Sequence, residues 1–129
     1  DTGLEVDALD GRPGVYSARF AGPACRAADN IKKLLTELKG IENRKANFRT
    51  SICLMIDGVS TNFEGRVDGV ITMAEEGENG FGYDPVFLPN GYTKTFAQMS
   101  DEEKNAISHR GVAIRKLVDY LSKLEAPVL

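Results

Sequence analysis

One histidine and two cysteines are all the imidazole and thiolate ligands that the sequence holds, and this scarcity excludes the common zinc centres. Cys25 and Cys53 lack the short spacing such centres use, and His109 cannot complete a site with them unless carboxylates join. Both cysteines are expected to pack as small apolar residues, which suits a reducing compartment. Charge of one sign is equally scarce. Sixteen basic residues against nineteen acidic ones leave a net charge of -3, so there is no broad basic footprint for a nucleic-acid backbone. A small anion held in a local pocket remains compatible. No apolar run approaches membrane-spanning length and no signal-peptide pattern is visible. The expectation is a cytoplasmic protein whose partners include neither nucleic acid nor a membrane.

What is present fits one domain over residues 1–129, with 42% apolar and 27% charged residues and enough length to bury a sizeable core. No internal repeat or interior linker divides it. The chain enters at Asp1-Thr2-Gly3-Leu4 without a methionine, in what looks like a functional turn, and reads as the C-terminal portion of a longer protein. Asp1, Glu5, Asp7 and Asp10 form an acidic cluster of the kind that can hold a hard cation, although surface loops often carry such clusters too. Tyr16 and Phe20 are expected in the core. Residues 26–39 place Ile31, Leu34, Leu35 and Leu38 at helical spacing, with Gly40 as the stop. Residues 48–56 form a strand whose apolar run 52–56 predicts burial on both faces. Asp57-Gly58 is a hairpin turn with residues 59–64 as the returning partner. Gly65 and Gly69 interrupt the next apolar segment, where glycines mark a bulge or a close backbone approach. Together these elements predict an α/β fold, a mixed, twisted β-sheet with flanking helices.

Two stretches carry candidate chemistry. In residues 75–85, Gly80 and Gly82 flank Phe81 and leave its ring faces open to a flat partner such as a nucleobase. Asp84, steered toward extended backbone by Pro85, is placed to accept from a base edge or to fix Lys104. The stretch 102–111 gathers Lys104, His109 and Arg110. On one continuous helix Lys104 would point about 140° from His109 and about 120° from Arg110, too far apart to converge. A break mends this: Ser100 and Glu103 form a capping box for a short helix, and Ser108 caps a second one running to residue 124. Ile107, Ile114, Leu117, Val118 and Leu121 supply the apolar stripe of this segment.

Four segments in order, 1–7, 13–20, Gly80-Phe81-Gly82-Tyr83-Asp84-Pro85 and 103–111, closely resemble the inosine/xanthosine triphosphate pyrophosphatase family. The resemblance spans residue 1 to about residue 121. It implies an elongated two-lobe fold with a central cleft, usually assembled as a homodimer, that uses Mg²⁺ to hydrolyse inosine, deoxyinosine and xanthosine triphosphates to the monophosphate and pyrophosphate. It further implies that Asp1 accepts the proton of the attacking water and approaches the metal. Thr2 touches substrate, Phe81, Gly82, Tyr83 and Asp84 form the base-stacking and base-recognition loop, and Lys104, His109 and Arg110 supply the remaining base contacts. The family's Ser/Thr-Gly-Asn-x-x-Lys segment and further acidic metal ligands have no counterpart in these 129 residues. An alternative expectation is therefore a truncated purine-nucleotide-binding protein with impaired catalysis. The chemistry of the pocket agrees with a 6-oxopurine: donors suit the oxygen at C6, and adenine's amino group would leave them unpaired, given a histidine that is protonated or suitably tautomeric.

Overall fold

The computed structural model describes residues 2–124; Asp1 and the tail 125–129 lie outside the described residues. Five strands form one sheet in the order β2-β1-β3-β4-β5: β1 is Thr2–Val6, β2 Pro13–Gly14, β3 Lys45–Ile56, β4 Val59–Ile71 and β5 Phe87–Pro89. The α/β expectation holds, and every pairing among the described strands is antiparallel. Three helices accompany the sheet, α1 at Ala27–Glu37, α2 at Asp101–Ile107 and α3 at His109–Leu124. None is long and apolar enough to cross a membrane.

Register decides which face is buried. Leu4 and Val67 flank Phe48 across the strands, and this face carries the core: Leu4, Val6, Phe48 and Ile71 pack with Ile31 and Leu34 of α1 and with Phe87 and Phe96. Phe48 lies 4.6 Å from Phe87 and 5.9 Å from Phe96 between ring centroids, the spacing at which ring pairs add to simple area burial. The opposite face is polar, with Glu5 3.8 Å from Arg49 and Arg66 2.8 Å from Asp68. An antiparallel sheet with one wet face alternates in this way.

The predicted burial of residues 52–56 on both faces is overturned. Among the described residues β1 pairs with β3 no further than Thr50, and from Ser51 on the described partner of β3 is β4. Of the surrounding elements, α3 covers this hairpin, through Phe63 against Tyr120 at 5.3 Å. Cys53, Met55 and Ile56 are exposed. Cys25 is exposed as well, in the loop before α1, so neither cysteine packs in the core as expected. Tyr16 is 68% exposed while Phe20 is buried, which corrects half of that pair. On α3 the buried positions are His109 and Ala113; Ile114 and Val118 face outward, so the predicted stripe is rotated toward the Ala113 side.

Two local readings hold in detail. Asp57 and Gly58 both take positive φ, 50° and 78°, the backbone that a two-residue hairpin needs to match strand twist. β4 runs unbroken through Gly65 and Gly69 because other backbone comes close there: a methyl on Gly65 would strike the carbonyl of His109, and one on Gly69 that of Leu88. Gly65 therefore lets the first turn of α3 rest directly on the sheet.

Candidate functional site

The junction of α2 and α3 is built as its capping residues dictate. The hydroxyl of Ser100 accepts from the Glu103 N–H at 3.1 Å while the Glu103 carboxylate accepts from the Ser100 N–H at 3.1 Å, which satisfies two otherwise free donors. Ser108 is extended, with φ −66° and ψ 155°. Its N–H still donates to the Lys104 carbonyl at 2.8 Å, and its hydroxyl accepts from the Gly111 N–H at 3.1 Å, opening α3. Arg115 reaches back to donate to the carbonyls of Asn105 and Ala106 at 3.1 and 3.0 Å, stabilising the C-terminal end of α2. A methyl on Gly111 would meet the Asn105 carbonyl. The break thus brings Lys104, His109 and Arg110 to one side.

The glycine loop meets them there. Gly80 and Gly82 have φ of 75° and 59°, and between them Phe81 is 62% exposed. The loop is tied down by Asn79, whose N–H donates to the Ala97 carbonyl at 2.9 Å and whose side-chain amide donates to the Met99 carbonyl at 3.3 Å. Asp84 is 3% exposed. One of its oxygens, Oδ2, accepts from both Lys104 Nζ at 2.6 Å and the Phe81 N–H at 3.0 Å. A single carboxylate oxygen therefore sets the ring and the ammonium relative to each other. Lys104 Nζ sits 4.4 Å from the Phe81 ring centroid and Arg110 Cζ 5.4 Å, within cation–π range. Asp84 is not extended as expected: it opens a 3₁₀ turn, Asp84–Val86, because its N–H donates back to the Phe81 carbonyl at 3.2 Å and closes the loop. The strand β5 follows directly, at Phe87–Pro89.

Tyr83 is buried, its hydroxyl donating to the Ser17 carbonyl at 2.6 Å. Burial pushes its phenol pKa up. It offers a ring to the site, with its donor already used. His109 is stacked on Phe48, centroids 4.8 Å apart and planes 18° from parallel. Burial first, then the charges of Arg110 and Lys104, push its pKa down to about 4, so the imidazole is neutral at physiological pH.

A cavity of about 180 Å³ is lined by Thr2, Phe81, Gly82, Tyr83, Asp84, Lys104 and His109, together with Ser17, Ala18 and Phe48. A second, of about 130 Å³, adjoins it and adds Arg110 and Ser108. The residues singled out from 81–84 and 104–110 thus come together, with Thr2 across the cavity, where its hydroxyl lies 2.6 Å from that of Thr50. Asp1 lies outside the described residues. Sequence reasoning assigned no role to Phe48, which orients His109, or to Asn79, which anchors the loop. Phe48 reads as an ordinary core residue of an alternating strand, so no local signal marks it. The acidic cluster is not assembled among the described residues: Glu5 faces Arg49, and no three histidine, cysteine or acidic side chains come together there as a metal would require.

A flat ligand carrying acceptors on its edge suits this α/β pocket, with a ring for its face and donors for its rim. The chain belongs to the Ham1 family, whose model matches residues 1–120. It is 52% identical over 122 residues to the dITP/XTP pyrophosphatase of Flavobacterium johnsoniae, covering 95% of this chain and 64% of that protein. It is likewise 52% identical to that of Christiangramia forsetii, with 95% and 65% covered. Among solved structures, the Ham1 protein of Staphylococcus aureus superposes with a TM-score of 0.93 at 45% identity, over 97% of this chain and 66% of that one. The chain spans just under two thirds of the length of these relatives.

Proposed function

We propose that this chain carries the base-reading part of a nucleoside triphosphate pyrophosphohydrolase acting on non-standard purines: inosine, deoxyinosine and xanthosine triphosphates. The supporting observation is Lys104 held by Asp84 over the ring of Phe81, beside the neutral His109 and the guanidinium of Arg110. Relatives at about half identity named dITP/XTP pyrophosphatase agree.

In this reading the purine stacks on Phe81, and its C6 oxygen accepts from the donors at the α2–α3 junction. Lys104 donates one N–H to Asp84 and has two more to offer. Adenine presents an amino group at C6 and would set donor against donor. Sites built this way reject the mismatched analogue by factors on the order of 10⁴ or more. Hydrolysis joins a water oxygen to the α-phosphorus while the bond from that phosphorus to the bridging oxygen breaks, releasing pyrophosphate. Asp1, on the family resemblance, takes the water's proton. Magnesium also enters through that resemblance; the described residues form no cage for it, and no step above is routed through the ion. A cytoplasmic homodimer belongs to the same proposal, and light scattering of the purified chain tests the dimer.

The deciding experiment measures pyrophosphate release from inosine, deoxyinosine and xanthosine triphosphates against adenosine and guanosine triphosphates, with Mg²⁺ present. Turnover of the first three well above the others is expected. Equal rates on inosine and adenosine triphosphates overturn the base-reading role. Binding of inosine nucleotides without turnover assigns this chain recognition alone.

A further inference from the structure

The two ring nitrogens of the protein's one histidine stand in different surroundings. His109 is 7% exposed and clasped against Phe48, and its Nδ1 is sealed from water with no hydrogen-bond partner. Nε2 makes no hydrogen bond among the described residues either, but it is not sealed. His109 lines both cavities of the site.

That asymmetry decides where the proton sits. A neutral imidazole has one N–H, and which nitrogen carries it follows from the partners available. A buried donor with no acceptor is the rarer and costlier orphan, whereas an unpaired acceptor is tolerated more often. Nδ1 is therefore the bare nitrogen, and Nε2 carries the hydrogen. A second proton on Nδ1 would be an unpaired buried donor. It would also add charge beside Lys104 of α2 and Arg110 of α3, at the positive N-terminal end of a helix. Two acidic groups line the cavities beside His109: Asp84, already engaged by Lys104, and the exposed Asp101 in the first turn of α2. The sheet contributes the uncharged ring of Phe48.

We propose that His109 is a neutral hydrogen-bond donor locked in one tautomer, its proton on Nε2 directed into the cavity, where it reads the C6 oxygen of a purine. The identity of that acceptor rests on the functional reading above; the tautomer does not. The arrangement lets three donors face one acceptor with two positive charges instead of three, so less charge has to be desolvated in the pocket.

Because there is one imidazole, the test is direct. Long-range ¹H–¹⁵N spectra of the ¹⁵N-labelled chain at pH 7 are expected to show Nε2 in the protonated range and Nδ1 in the bare range, both unchanged down to about pH 5. Averaged shifts, a proton on Nδ1, or an imidazolium at pH 7 overturn the proposal. Adding inosine 5′-monophosphate is expected to move Nε2 and leave Nδ1 in place, and adenosine 5′-monophosphate to move neither. His109→Gln, which restores an N–H near the Nε2 position, is expected to keep most of the inosine preference. His109→Phe, which keeps a ring against Phe48, is expected to lose roughly tenfold of it. Full preference in His109→Phe overturns the reading role. If neither nucleotide binds while the spectra hold, the purine assignment fails and the tautomer stands.

Discussion

The two ends of the β3–β4 hairpin invert the usual rule of burial. At the end near the α2–α3 junction, polar groups are buried: Asp84, His109, Ser108 and Thr50 are all nearly inaccessible. At the turn end, Met55, Ile56 and Val59 lie open. The buried polar groups are there because each has a fixed task, Asp84 joining Lys104 to Phe81 and Ser108 breaking the helix. The exposed apolar ones lie past the last described β1–β3 pair, Thr2 with Thr50, and among the described residues no second layer covers them. Buried polar groups are costly unless satisfied, so their concentration at one end marks where the fold spends stability on geometry. The comparison also ranks the molecule's sensitivities, which should be large at the junction and small at the turn.

The largest effect is expected at Asp84. Asp84→Ala leaves the ammonium of Lys104 nearly buried without its counter-charge, a loss of about 3–5 kcal/mol measured by urea denaturation. Asp84→Asn, which still offers one oxygen to Lys104 and to the Phe81 N–H, should recover part of it. Equal stability of the alanine variant and the parent would show that the ion pair does not organise this end. Acid comes next. The pKa of His109 is lowered from 6.5 to about 4 on folding, so between these values the unfolded chain binds a proton that the folded one refuses. Its contribution is complete above about pH 6.5 and is lost as the pH falls toward 4, by up to about 3 kcal/mol. A profile of Tm against pH that is unchanged in His109→Gln through this window would place the acid sensitivity elsewhere.

The same contrast explains what was legible in the sequence. The junction could be read because its grammar is local: Ser100 with Glu103, the Ser108 break, the Gly80-Phe81-Gly82 loop and the Asp57-Gly58 turn each act over three or four residues. The pairing of Asp84 with Lys104 could be named as an option for the same reason. What failed depended on distant chain. The run 52–56 looks doubly buried, whereas among the described residues β1 pairs no further than Thr50 and Cys53, Met55 and Ile56 are exposed. The stripe on α3 was misplaced because contact with β4 at Gly65 and Phe63 sets which side of the helix turns inward. Asp84 was expected extended because the influence of Pro85 is local, whereas a hydrogen bond back to Phe81 overrides it. Phe48 was invisible as the support of His109, since a core phenylalanine on an alternating strand carries no mark of what it stacks against.

Smaller effects sharpen the boundary between the two ends. Gly65→Ala drives a methyl into the His109 carbonyl, with an expected cost of about 1–3 kcal/mol and a shift of the His109 ring signals. An unchanged spectrum would mean that α3 can lift without moving the site. Phe81→Ala is expected to weaken binding of inosine 5′-monophosphate by about 1–3 kcal/mol, while stability changes by no more than about 1 kcal/mol, the worth of an exposed cation–π contact. A large loss of stability with no loss of binding would make the ring a structural residue.

The smallest effect is expected at the turn, and it is the most informative about the comparison. Met55 is 66% exposed on a two-stranded segment, so Met55→Ser removes an apolar side chain that is already mostly in water. Such surface changes alter stability by less than about 0.5 kcal/mol, and nucleotide binding at the far end of the hairpin should not change. If Met55→Ser instead destabilises the chain by more than 1 kcal/mol, or changes its sedimentation, the open apolar surface is covered in solution. The contrast would then lie between a site fixed within the chain and a surface fixed by contact with another molecule.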